Sequence, residues 1–174
     1  ALRARGTRVR RLDATWPADA GPDGLLHALE CLAADAVAAA ETGVEVLLAS
    51  DAALSLGRPP VPSILAAGAV HTALTDAGLR GRTDLVVDAA DILAVHAMAM
   101  VLAVGATAAH PRLAVELATE LAGSRGAETV TADAAIANLV RAFEAGLRKT
   151  LARMGISAVA SYIGGALVDT IDLA

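Results

Sequence analysis

The 174-residue chain reads as an α/β fold, a mostly parallel sheet of repeated strand–helix units covered by helices. Three observations predict this. Apolar runs of strand length alternate with helix-length segments, the joints carry glycine, and the runs are apolar on both faces, as strands buried in a parallel sheet are. Right-handed crossovers then connect successive strands. Four or five strands leave two arrangements open, an open sheet and a partial barrel. The length predicts a single domain over residues 1–174.

The elements follow in order. Leu25, Leu29, Leu32, Ala36, Val37 and Ala40 keep a helical period, with Pro22 near the first turn and Gly43 just past the end. Val44-Glu45-Val46-Leu47-Leu48-Ala49 reads as a strand with Ser50-Asp51 as its polar tip. The order then repeats: a helix over Pro62 to Ala77 ended by Gly78, then a buried strand Asp84-Leu85-Val86-Val87-Asp88. Between Ile92 and Ala109 no charge occurs, and the run reads as a buried helix. Pro111 opens a helix with Leu113, Leu117 and Leu121 on one face and Glu116 and Glu120 on the other, closed by Gly123. A polar loop over Gly123 to Thr129 leads to Thr131, which caps the next helix, with Asp133 suiting its positive end. That helix buries Ile136, Val140, Phe143, Leu147 and Leu151 and sets Glu144 and Arg148 as an outward pair. Gly155 ends it, and Ile156-Ser157-Ala158-Val159 reads as a third strand of the same repeat.

Composition excludes several classes. Hydrophobic residues make up 56% of the chain and charged residues 19%, which rules out disorder. Trp16, Phe143 and Tyr162 are the only aromatics and the net charge is -5, so neither stacking platforms nor a cationic surface exists for nucleic acid. One cysteine, Cys31, makes no intrachain disulfide, Cys-based zinc site or iron–sulfur cluster. The run from Ile92 reaches the roughly 18-residue length of a membrane span, but alanine, His96, Gly105 and Thr107 fill it, so no membrane association is expected. Ala1 to Arg11 carries five arginines with no apolar region after them, unlike a secretory signal. The chain does not start with Met, as expected of a piece of a longer polypeptide, of processing or of trimming.

Ligands of parallel α/β folds sit beyond the carboxyl ends of the strands, which singles out Ser50, Asp51, Asp88, and Ser161 with Gly164-Gly165. These form either a polar rim for a small molecule or channel, or simply caps on the following helices. His27, His71, His96 and His110 lack metal-ligand spacing. His71 and His96 fit core or interface positions inside apolar helices, and His110 reads as a helix start before Pro111. Gly164-Gly165 allows a phosphate-binding reading, yet no GxGxxG, P-loop or GxSxG motif accompanies it, and Cys31 lies inside a helix.

Pro60-Val61-Pro62-Ser63-Ile64-Leu65-Ala66-Ala67-Gly68-Ala69-Val70-His71 resembles the stretch P-I-P-S-L-L-A-V-G-A-V-H in the central domain of the glutamate synthase large subunit. Further blocks agree in order. Val46 to Asp51 is similar to I-L-I-L-S-D, Leu85 to Asp88 to L-V-V-E, and Val95-His96 to V-H-H. Gly105-Ala106 with Pro111 to Ala114 is similar to G-A and P-Y-L-A. Gly146-Leu147, Met154 to Ser157, and Ser161-Tyr162 with Gly164 resemble G-L, K-M-G-I-S and S-Y-x-G. The likeness runs from about Thr7 to Leu173. It departs at Ala52 for the arginine of S-D-R, at Ala97 for the second histidine of V-H-H, and at Arg112 for the tyrosine of P-Y-L-A.

The resemblance implies glutamate biosynthesis from glutamine and 2-oxoglutarate in the cytoplasm, by an oxidoreductase whose amidotransferase domain releases ammonia and whose flavin domain uses it. The chain then matches the second half of the central domain, which holds those two flanking domains of the same polypeptide and helps enclose the ammonia tunnel. The FMN and [3Fe–4S] cluster of the family lie outside such a segment, which has no cofactor or catalytic residue of its own. Ser50, Asp51, His71, Asp88, His96, Ser161, Tyr162 and Gly164 are its candidate strand-end or interface positions. Its apolar excess would be covered by neighbouring domains, so self-association of the isolated chain is expected. The alternatives are a free-standing flavin- or phosphate-ligand protein, and a degenerate remnant serving as an interaction module.

Overall fold

The computed structural model describes residues 6–124, 129–165 and 167–168. Elements follow as β1 (Val9–Asp13), α1 (Gly21–Glu41), β2 (Val46–Ser50), α2 (Ser63–Asp76), β3 (Asp84–Ala89), α3 (Val95–Ala103), β4 (Ala108–Pro111), α4 (Arg112–Leu121) and α5 (Ala132–Arg153). The four strands pair in parallel in the order β1-β2-β3-β4, so the predicted α/β class holds.

That order decides between the two arrangements. Each right-handed crossover steps the same way along the sheet, which puts every crossover helix on one face, as in one arc of a barrel. Packing agrees, for α1 lies along α2. Leu12, Leu47, Ala49, Leu85 and Val87 are at most 2% exposed beneath the helices. Their strand neighbours Leu48 and Val86 turn to the helix-free face and are half-buried. Alanine lets the helices approach the sheet closely: Ala36, Ala66 and Ala67 are fully enclosed.

Local signals account for most boundaries. Pro22 sits in the opening turn of α1, Gly43 and Gly78 follow α1 and α2, and the Thr131 hydroxyl accepts the Ala134 N–H at 3.2 Å to open α5. The loop over Leu56 to Pro60 is ordered by backbone pairing with Thr15 and Trp16.

Three expectations need correction. The uncharged run from Ile92 is not one helix: α3 ends at Ala103, Gly105 turns the chain at φ 119°, and Thr107 N–H bonds Leu85 O to begin β4. Ile156 to Val159 is no strand: Ile156 N–H closes α5 by bonding Leu151 O, and Val159 opens a short 3-10 turn through Ser161. The apolar faces of α4 and α5 are also less covered than expected. Phe143 and Leu151 are buried, while Leu117, Leu121 and Val140 remain 42%, 62% and 47% exposed. The loop from Gly123 to Thr129 lies partly outside the described residues. No helix among the described residues is long and apolar enough to cross a membrane.

Candidate functional site

Strand register assembles the site. Asp13 lies beside Ser50, Ser50 beside Asp88, and Asp88 beside His110, one residue from each strand in a single row at the carboxyl end. Side chains alternate along strands, so this row shares the helix-free face with Leu48 and Val86. Ser50, 1% exposed, donates its hydroxyl to Asp88 Oδ2 at 2.7 Å. His110 Nδ1 lies 2.8 Å from Asp88 Oδ1, and because a carboxylate only accepts, Nδ1 carries the proton. At the end of the row, Asp13 accepts from Thr15 and from Arg58 at 2.9 Å.

Just beyond the row, Asp51 is 2% exposed. One of its oxygens accepts the Ala90 N–H at 2.8 Å, and the other accepts from the Arg112 guanidinium, delivered from the first residue of α4. Arg112 also stands 3.8 Å from Asp88 and 3.8 Å from Glu116. Burial would lower its basicity, but the hydrogen bond and charge of Asp51, aided by Asp88 and Glu116, hold it above the usual arginine range. Burial likewise opposes charge on Asp88, yet Ser50, His110 and Arg112 together bring its carboxyl below the ordinary value.

The chemistry of this arrangement is closure. Ser50 is 1% exposed and its hydroxyl is engaged as a donor to the Asp88 carboxylate, so it is not presented to solvent. Neither Asp51 nor Asp88 caps a helix. The carboxylate at the start of α2 is Asp91, whose Oδ2 accepts the Ser63 N–H at 2.9 Å. The resemblance motif has tyrosine where this chain has Arg112, and that arginine supplies the charge paired with Asp51.

His71 belongs to the opposite end. Arg80 Nε donates to His71 Nδ1 at 3.1 Å, while its other nitrogens reach Thr83 O, Gly105 O and Thr107 Oγ1 at 2.7, 2.8 and 3.0 Å. A Cβ on Gly105 would fall 2.2 Å from His71 Cγ, and one on Gly164 2.6 Å from Cε1, so both glycines are flush against the ring. Burial, and then the Arg80 charge, hold His71 below the ordinary imidazole range.

Ser161 and Gly164 therefore do not join Ser50, Asp51 and Asp88, because no strand precedes them. Ser161 is exposed, Tyr162 is in the core with burial raising its hydroxyl above the usual phenol range, and Gly164 packs against His71. The Gly164 and Gly165 N–H groups donate to Leu102 O and Tyr162 O, so they do not cradle a phosphate. His96 is exposed in the first turn of α3 and is not a core histidine. His110 is a strand residue, and the helix begins after it. Sequence reading missed Asp13, His110 and Arg112 as members of the row and its closure. Apolar periodicity gave no sign of β1 or β4, and only pairing through those strands brings the three in.

The whole chain, residues 1–174, matches the family model described as the glutamate synthase central domain. It belongs to that family. It is 35% identical over 168 residues to the "Glutamate synthase [NADPH] large chain" of Azospirillum brasilense, covering 97% of this chain and 11% of that one. With the "Glutamate synthase [NADH]" of Schizosaccharomyces pombe it shares 33% over 167 residues, 95% of this chain and 8% of the relative. The chloroplastic ferredoxin-dependent glutamate synthase of Oryza sativa subsp. japonica is 35% identical over 161 residues, 86% of this chain and 10% of that protein. The chain thus spans about a tenth of the length of these relatives. Among solved structures, a mandelate oxidase mutant with an FMN adduct superposes with a TM-score of 0.58 at 21% identity, covering 76% of this chain and 37% of that one. A mutant flavocytochrome b2 with pyruvate bound gives 0.56 at 14% identity, covering 80% and 35%. The likeness to these TIM-barrel flavoenzymes shows the fold alone.

Proposed function

We propose that this chain is the second half of the central domain of a cytoplasmic glutamate synthase large chain and acts as its non-catalytic spacer. In this reading it holds the amidotransferase and FMN domains in fixed relation and helps enclose the path of ammonia between them. One observation carries the reading: where a ligand of an α/β fold would bind, Asp51 is buried against Arg112 and Asp88 is engaged by Ser50 and His110. The residues present do not fit FMN, because the strand ends carry carboxylates and the glycine amides suggested for phosphate are spent within the chain. Nor do they fit an iron–sulfur cluster, with Cys31 the only cysteine. The helix-free face, with Leu48 and Val86 half-buried and apolar, suits the wall of a route for a small neutral molecule.

The test uses the full-length polypeptide that contains this segment, given glutamine labelled with 15N in the amide and excess unlabelled ammonium. Glutamate should retain the label in the parent protein and lose part of it when Leu48→Trp or Val86→Trp obstructs the face. Full retention in both folded variants refutes a channel role for this face. A flavin absorbance band in the purified segment, present in one-to-one ratio, refutes the spacer reading itself.

A further inference from the structure

Folding leaves a set of leucines uncovered at one end of the molecule. Leu54 and Leu56 lie in the loop after β2, Leu93 lies in the loop after β3, and Leu26 and Leu65 are in the opening turns of α1 and α2. Because all four strands are parallel, these loops and helix starts share the carboxyl end. Their exposures run from 43% at Leu54 to 104% at Leu56. Scattered single leucines on a surface require no explanation, but five on loops and helix starts at one end of the sheet do.

Leu56 is also held in place. Ser55 and Arg58 exchange backbone hydrogen bonds of 3.0 and 3.1 Å across the turn that presents it. Gly57, Pro59 and Val61 then pair with Ala18, Trp16 and Ala14 at 3.0, 3.1 and 2.8 Å. Arg58 ties this ribbon to Thr15 at 3.0 Å and to Asp13 at 2.9 Å. A side chain presented on a braced ribbon loses little further freedom on docking, which is the condition for tight association.

Charge narrows the partner. At this end Arg58 and Arg112 are already matched by Asp13 and Asp51. Asp19 and Asp23, exposed around the start of α1, make no ion pair among the described residues. We propose that this leucine-crowned end docks on another part of the same polypeptide, through an aliphatic surface bordered by lysine or arginine. The proposal rests on reading the chain as a segment of a large synthase chain. Relatives of which it spans 8% to 11% supply ample flanking protein, whereas a second copy would set Asp19 and Asp23 against their own equivalents.

The experiment places the photo-crosslinking residue p-benzoylphenylalanine at Leu56, and separately at Leu93, in the full-length polypeptide, and maps the products by mass spectrometry. Crosslinks from both positions to residues of the same polypeptide outside 1–174 support the proposal. A parallel Leu56→Asp variant should speed limited proteolysis between domains about tenfold, the effect of exposing one desolvated leucine. Crosslinks only within 1–174, only to a second copy or only to another protein overturn the proposal, as do absent crosslinks or unchanged proteolysis. A gene product that ends near Ala174 removes the large-chain reading as well, whereas a long one without these crosslinks removes only the docking surface.

Discussion

Replacing Arg112 with Met tests whether the strand-end closure is structural. The substitution keeps an apolar stem of similar length and removes the guanidinium bonded to Asp51, a carboxylate 2% exposed. Breaking a buried pair from one side costs about 3 to 5 kcal/mol, because a charge is left without its partner. Asp51 retains the Ala90 N–H at 2.8 Å, and the Arg112 side chain is itself 21% exposed, so the lower end of that range applies, about 3 kcal/mol. For a chain of this length that corresponds to a loss of about 6 to 12 °C in Tm. Urea unfolding followed by circular dichroism measures it directly. Adding Asp51→Asn to the Met variant removes the stranded charge while leaving an oxygen for Ala90, and most of the stability should return. A loss below about 1 kcal/mol in the single variant, the size of a solvent-exposed pair, would refute the closure argument.

Other outcomes follow from the same structure. Ser50→Ala removes a buried hydroxyl that donates to the Asp88 carboxylate at 2.7 Å and should cost about 2 kcal/mol in the same unfolding assay. Gly105→Ala should cost about 3 kcal/mol, since φ is 119° and the new methyl would lie 2.2 Å from His71 Cγ. Gly68→Ala, inside α2 with open space around it, should instead gain about 0.5 to 1 kcal/mol. His71 is held below its unfolded value of 6.5, so the unfolded chain binds the extra proton. Stability should therefore be level above about pH 6.5 and fall as pH drops below it, and His71→Phe should lack that part of the slope.

The parts of the fold that sequence reveals are those whose signal is local. The periodic helices α1, α2 and α5, the Thr131 cap, and the apolar strands β2 and β3 were all legible. β1 was not, because Val9-Arg10-Arg11-Leu12-Asp13 is an outermost strand with two exposed arginines, Arg10 on the same side as Leu12 and Arg11 on the other, and only Leu12 is buried. β4 was hidden for another reason: Ala108 and Ala109 continue an alanine-rich run, and periodicity alone does not separate a short strand from a buried helix there. Ile156 to Val159 misled in the opposite direction: it is strand-like in composition, but its first amide is taken by the end of α5 and its last residue begins a 3-10 turn. Ser50, Asp51 and Asp88 could be placed at strand ends from sequence. Arg112 and His110 depend on which strand lies beside β3, a fact of tertiary pairing that neither residue announces.

The strict succession of strands bears on how the molecule is made. Val9 pairs with Val46, Val46 with Asp84, and Val86 with Ala108, so each strand finds its mate in the one synthesised just before it. Each parallel crossover must close a loop before its strands can pair, which slows folding, but growth of the sheet can follow the emerging polypeptide in order. A ribosome extruding this segment would add one docked unit at a time, with a single open flank awaiting the next.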